Sequence, residues 1–260
     1  MKNRSWNLFK AIFIKEWISL KRYPFNTISA IVTVYMLFLL FFLGYKFVGG
    51  NQSTFTRTTE GFIVGFFIWT YSIAAYSTLS WGIIQEARTG TLEQLYMTPL
   101  GFETVSIYTV IANFIWSVVW VLPVLILMMV TTGRFLHFDF MTLIPLLILT
   151  IAGGYGIGFI TGGLGLVFKK IQAFFQILQF VFVGFIVAPV DTLPVLKILP
   201  FSLGTKLIAR NMIDELPIYS MPVYDLLILI ANAIFYLTIG FLLFKACEKI
   251  AKDRGLLGHY

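Results

Sequence analysis

Six stretches of 19 to 30 residues run without one charged side chain: Tyr23–Tyr45, Gly61–Gln85, Thr104–Gly133, Phe140–Phe168, Ile171–Val190 and Leu226–Phe244. The next longest, Phe47–Thr56, has only ten residues. A helix needs roughly 20 mainly apolar residues to cross about 30 Å of hydrocarbon, so each of the six can span a bilayer and nothing else in the chain can. Hydrocarbon offers no partner to a free backbone amide, so a spanning segment must satisfy its own hydrogen bonds. Continuous apolar runs mark it as helix, where a barrel shows short alternating segments. Composition closes off the soluble reading: 58% of the 260 residues are hydrophobic and 12% charged, against about 25% charged in a soluble globular domain. The mean hydropathy is +0.87, and lipid must solvate most of this surface.

The expected fold is an all-α integral membrane protein, one domain over residues 1–260, with six spans at 26–48, 61–85, 104–132, 140–168, 171–190 and 224–245. With both termini in the cytoplasm, thirteen Lys and Arg fall inside and six outside (Lys46, Arg57, Arg134, Lys197, Lys206, Arg210). The bias of basic residues toward the inner face favours that orientation. The outside bases are matched by Glu60, Asp139, Asp191, Asp214, Glu215 and Asp225, so the formal charge of +7 also lies inside. A basic inner face suits anionic membrane lipid, and nucleic acid is not an expected partner.

The first uncharged run is too long for a secretory signal, and no small-residue cleavage site follows it at Lys46–Gly50, so it reads as a retained span. Ahead of it, Trp6, Phe9, Phe13, Trp17 and Leu20 recur at spacings of three and four, with Lys10, Lys15, Lys21 and Arg22 mostly off that face. Residues 1–25 thus form an amphipathic helix expected at the inner interface, aromatics in the acyl boundary and bases at the headgroups, before Pro24 turns the chain into the bilayer. Cys247 is the only cysteine, which excludes an intrachain disulfide. His137 and His259 are too few and too far apart in sequence to suggest a metal site, and none is expected.

Within the spans, Gly154, Gly158 and Gly162 repeat every four residues, a pattern that lets another helix backbone come close, from this chain or from another subunit. Pro123 and Pro145 should kink spans three and four. Ser72, Tyr76 and Ser80 form a polar row in span two. Gln172, Gln176 and Gln179 form another in span five. The stretch 191–222 is too apolar for a solvated loop and predicts short helices dipping into the outer leaflet, between breaks at Pro194, Pro200 and Pro217.

No G-x-x-x-x-G-K-[ST] phosphate loop, G-x-S-x-G, H-E-x-x-H or cysteine pair occurs. The spans hold no carboxylate or histidine for a proton relay. No catalytic set is expected, therefore, and no cofactor bound by this chain. The informative stretch is the inner one between spans two and three, residues 86–99. It is acidic on balance where lipid favours bases, and Leu92, Leu95 and Tyr96 share one helical face. That face suits a protein contact, although a short interfacial helix has the same pattern.

From Glu86 through Gly90-Thr91-Leu92-Glu93 to Thr98-Pro99, this segment resembles the signature of the ATP-binding-cassette type-2 permease family. The resemblance extends over the chain: the N-terminal interfacial helix, six spans, a glycine-rich fourth span closing at Gly163 to Lys169, apolar outer helices before span six, and the tail from Arg254 to Tyr260. It implies that residues 86–99 form a coupling helix docking on a separate ATPase subunit, which carries the ATP and Mg²⁺. It also implies that two permeases, alike or different, line the export path in a prokaryotic plasma membrane. Placed by that resemblance, the two polar rows face the path; as interhelical hydrogen-bonding groups they have an equally ordinary role. The competing class is a non-transporting sensor or immunity component that binds an ATPase through the same segment. The cargo is not legible in the residues.

Overall fold

The computed structural model describes residues 2–47, 59–89, 91, 94, 97–98, 101–168 and 171–254. Among these the chain forms helices and turns and no strand: α1 (Lys2–Arg22), α2 (Pro24–Phe47), α3 (Thr59–Arg88), α4 (Gly101–Thr132), α5 (Phe140–Val167), α6 (Gln172–Ile186), α7 (Ser202–Asp214) and α8 (Val223–Asp253), with 3₁₀ turns at Pro194–Ile198 and Ile218–Ser220.

Local chemistry sets the boundaries. Only Tyr23 parts α1 from α2, because Pro24 lacks an amide hydrogen but carries the φ of a first helical turn. Glycines in the left-handed region bracket α4, Gly101 at φ 74° and Gly133 at φ 66°. Past Gly133 the Arg134 amide reaches back to the Met129 carbonyl at 3.2 Å and closes the last turn. Asp139 caps α5 by accepting from the Met141 amide at 3.1 Å. Both α4 and α5 continue through their prolines, Pro123 and Pro145.

Among the described residues five helices are long and apolar enough to cross a membrane, over Pro24–Gly44, Thr59–Glu86, Gly101–Thr132, Phe140–Val167 and Val223–Asp253, and the chain is a membrane-embedded helical protein. The run expected to span at 171–190 forms a shorter helix, α6, of 15 residues. At about 1.5 Å per residue it reaches roughly 22 Å, short of the ~30 Å hydrocarbon layer. Its end has a local cause: Pro189 biases Ala188 away from helical geometry. The Val190 amide bonds the Ala188 carbonyl at 2.9 Å in a turn instead. The six expected spans thus become five full-length helices and one short one.

The most extensive contact in the bundle is between α5 and α8, followed by that between α5 and α3. Gly154, Gly158 and Gly162 turn toward α3. A Cβ on Gly158 would stand 3.1 Å from the Tyr76 carbonyl oxygen, and one on Gly162 would stand 3.3 Å from that of Leu79. A second set faces α8, where Gly156 lies directly on the backbone of Tyr236 and Gly240, and Gly163 lies on Phe244 and Cys247. Backbone therefore packs on backbone along two sides of α5, the close approach that substitutes in lipid for a hydrophobic drive. By contrast, α2 is apolar all round and keeps most of its surface exposed, as a lipid-facing helix does.

Ion pairs collect at the two ends of the bundle. One end holds Lys15 with Glu86 at 3.8 Å and Glu103 with Lys245 at 3.0 Å. The other holds Glu60 with Arg134 at 3.2 Å, Lys197 with Asp225 at 2.6 Å, and Lys206 with Asp191. At that second end the expected short helices appear as two 3₁₀ turns around α7, and α7 is almost wholly buried against α5 and α3. The apolar residues of α7 are taken up by protein contact, while Leu193, Val195, Ile198 and Tyr219 around it stay exposed. Phe201, at φ 70° before α7, drives its ring between Phe182, at a centroid distance of 5.0 Å, and Gly154.

The aromatic face of α1 also meets protein. Phe9 stands 5.9 Å from Tyr108, while Phe13 and Trp17 stand 4.7 and 5.4 Å from Trp116. The Trp116 indole donates to the Phe13 carbonyl at 3.3 Å. Sequence assigned these rings to the acyl boundary; Trp6 and Trp17 stay more than half exposed, but Phe9 and Phe13 seat on α4.

Candidate functional site

The segment singled out by sequence leaves the end of α3 beside α1. Glu86 is half-buried near the last turn, opposite Lys15. After Arg88 the chain bends: the Thr89 amide donates to the Gln85 carbonyl and the Thr91 amide to the Glu86 carbonyl, both at 3.0 Å. The Thr91 hydroxyl donates to the Glu86 carboxylate, so Glu86 and Thr91 form one local unit that fixes how the segment departs. At its far end the Gly101 amide bonds the Thr98 carbonyl at 3.0 Å and starts α4. Gln94 and Met97 are exposed, Met97 by 84%. Met97 is an apolar group that sequence reading passed over, although it lies within the same stretch. Gly90, Leu92, Glu93, Leu95, Tyr96 and Pro99 lie outside the described residues.

The two polar rows meet each other. Ser72, Tyr76 and Ser80 are fully buried. The Tyr76 hydroxyl donates to the Phe175 carbonyl of α6 at 2.8 Å. Ser80 shares a hydrogen bond with Thr161 of α5 and also donates to the Tyr76 carbonyl at 2.9 Å. Among the described residues the Ser72 hydroxyl has no hydrogen-bond partner. From α6, Gln179 accepts at its carbonyl from the Trp69 indole at 2.9 Å and sits against the Tyr76 hydroxyl. Gln172 is half-buried, and Gln176 points out of the chain beside Ile177 and Phe180. The span-two row therefore ties α3 to α5 and α6, and Gln176 alone of the six is exposed.

A polar knot that sequence reading missed lies in α4. Asn113 accepts at its side-chain oxygen from the Tyr155 hydroxyl at 3.0 Å and from Ser117 at 3.4 Å. As the one amide side chain in the uncharged run Thr104–Gly133, it was a legible signal. Asn113 also borders a cavity of about 510 Å³ between α1, α3 and α4, whose opposite end reaches Lys15, Glu86 and Thr98. Among the described residues no group of three or more His, Cys, Asp or Glu side chains is placed to hold a metal ion. Compared with models of known protein families and with curated proteins, the chain matches none.

Proposed function

We propose that the chain is the membrane-spanning permease subunit of an ATP-binding-cassette exporter, coupled through residues 86–99 to separate ATPase subunits and paired with a second permease. The observation that carries this reading is the Glu86, Gly90-Thr91-Leu92-Glu93, Thr98-Pro99 pattern, leaving a buried apolar helix at the end of the bundle where α1, the start of α4 and the end of α8 gather. Support comes from the exposed Met97 and from the Glu86–Thr91 unit, a fixed hinge through which a push on the segment reaches α3. In this reading α6 is the fifth of six spans, both termini are cytoplasmic in a prokaryotic plasma membrane, and the exposed face of α6 with Gln176 turns toward the second permease. The chain itself is no enzyme: ATP and Mg²⁺ belong to the partner.

Leu92, Leu95 and Tyr96 are the anchors of the docking face, with Glu86 and Glu93 as acceptors for charged donors on the ATPase. Truncating central anchors of a small interface costs about 2 kcal/mol, or about thirtyfold in affinity. The test is Leu92→Ala with Leu95→Ala in the full complex: normal insertion, ATPase capture weakened by about that factor, and export lost. Wild-type co-purification together with wild-type efflux would exclude the segment as the contact. Reconstitution in vesicles separates a transporter from an ATPase-binding sensor, because only the transporter moves cargo when ATP is turned over.

A further inference from the structure

The cavity between α1, α3 and α4 has the anatomy of a binding site. Leu8 and Ile12 come from α1, Leu79 and Ile83 from α3, and Phe102 and Val105 from α4, so three helices wall it with apolar side chains. Its volume, about 510 Å³, falls within the ~300 to 1,000 Å³ of small-molecule pockets. Two hydroxyls along the wall are already engaged: Thr78 donates to the Ala74 carbonyl and Thr109 to the Val105 carbonyl, each at 2.9 Å. Neither has a proton to offer a ligand; Ser106 and Asn113 add polar groups to a shaft that is otherwise mainly apolar. From Glu86 to Thr78 it runs about 12 Å, and from Phe102 to Asn113 about 16 Å, at the helical rise of 1.5 Å per residue.

The mouth is charged and unbalanced. Glu16 and Glu86 face one ammonium, Lys15, which lies 3.8 Å from Glu86 and whose side chain is 72% exposed, so it is loosely held. Among the described residues that line the mouth, carboxylates outnumber ammonium groups by one, a balance that suits an incoming cation. Gly82 adds no bulk to the space. It lies inside a helix, where glycine is unfavourable relative to alanine. It also lines the cavity, and a Cβ placed on it meets nothing within 4 Å. Packing gives no reason for glycine there, unlike at Gly156 or Gly158.

We infer that this cavity binds a single-chain cationic amphiphile, with its alkyl tail between α3 and α4 beneath α1 and its head between Glu16 and Glu86. The cavity is walled by this chain alone, and Glu86 and Thr98 are the residues it shares with the segment proposed to meet the ATPase. Its occupant displaces Lys15 from Glu86, the residue that anchors Thr91, and so acts on the start of the 89–98 segment.

The test uses the purified full chain in a neutral sugar detergent with a dodecyltrimethylammonium probe carrying a diazirine in its tail. Photolabelled peptides are read by mass spectrometry. Saturable labelling is expected in residues 8–16, 78–86 and 102–113. Unlabelled dodecyltrimethylammonium should compete at least about tenfold better than dodecyl sulfate at equal mole fraction in the micelle, as one unit of charge preference at a partly solvated mouth provides. Gly82→Phe fills the space and should cut labelling about tenfold while helical circular dichroism and elution volume stay at wild type. Ala11→Leu, on the exposed rim of α1, gives a second obstruction should that variant not fold. Glu86→Gln should bring the two competitors closer together without abolishing labelling. The inference is overturned by non-saturable labelling spread equally over lipid-facing positions such as Ile126 and Val130, or by labelling unchanged in folded Gly82→Phe. Equal competition by dodecyl sulfate also overturns it, as does competition by phosphatidylethanolamine alone, which assigns the space to bilayer lipid.

Discussion

The two sides of α3 are built on opposite principles. Toward α5 there is no spare room: Gly158 and Gly162 bring the helices into backbone contact, and Ser80 locks to Thr161. Toward α1 and α4 the same helix leaves a cavity, and its glycine there, Gly82, touches nothing. The tight side extends through α5 to α8 and holds the helices as one body. The loose side rests on aromatic rings, on the hydrogen bonds of Trp116 to Phe13 and of Tyr71 to Phe114, and on one stretched ion pair. A single residue type thus carries contrary meanings a few turns apart, and the surroundings decide which applies.

Substitutions that swap these environments should separate them, and the largest effect belongs to the tight side. Gly156→Leu pushes a side chain into the backbone of α8, which cannot yield, and should cost about 3 kcal/mol or more. Loss of the monodisperse peak in size-exclusion chromatography is the expected outcome, and a wild-type melting temperature would show that the seam is not close-packed. Next comes the end of that same body. Asp225→Ala strands the mostly buried Lys197 ammonium and should cost about 3 kcal/mol, whereas Lys197→Met combined with Asp225→Leu should recover most of it. Thermal melting of the three variants distinguishes an unpaired charge from lost packing.

On the loose side the effects shrink. Phe13→Ala removes the ring against Trp116 and should cost about 1 kcal/mol. The change should be visible as faster hydrogen exchange confined to α1; exchange that also quickens in α5 would mean the two sides are not separable. Smallest of all, Gly82→Ala should stabilise the chain by up to about 1 kcal/mol, because it gains helix propensity and meets no clash. A drop in melting temperature there would mean that the space is filled.

The helices were legible because an uncharged run of sufficient length has few alternatives in lipid. Their ends were less so. Hydrogen bonding along a helix does not stop at a charge: α8 runs on to Asp253, with Lys252 paired to Glu248 at 2.6 Å, well beyond the apolar run that announced it. Conversely, α6 stops before its apolar run does, since Pro189 acts on backbone geometry and not on hydropathy. The repeat of Gly154, Gly158 and Gly162 was readable as close packing, but its partner was not. The second row through Gly156 and Gly163 escaped because its spacing of seven is less familiar than four. The Ser72, Tyr76 and Ser80 row was visible as polarity alone. That Tyr76 bonds a main-chain carbonyl on α6 could not be read, because carbonyls leave no mark in a sequence. The amphipathic face of α1 posed the same ambiguity, since an aromatic stripe suits Trp116 as well as acyl chains. Of the 86–99 segment, sequence supplied the motif, and the geometry of Glu86, Thr91 and Thr98 supplies the ends from which it hangs.

The brevity of α6 has a consequence for the surrounding lipid. Standing among helices of 24 to 32 residues, it leaves an uneven hydrophobic belt, low along its outward row of Phe174, Ile177, Phe180 and Val181 and tall elsewhere. Acyl chains beside the low sector must compress or tilt, at a cost of fractions of a kcal/mol per Å of mismatch. Such a dent tends to gather shorter or less ordered lipids around itself, and two dented flanks brought together share one deformed annulus instead of two. Bilayer thickness thereby becomes a variable that acts on this flank of the protein.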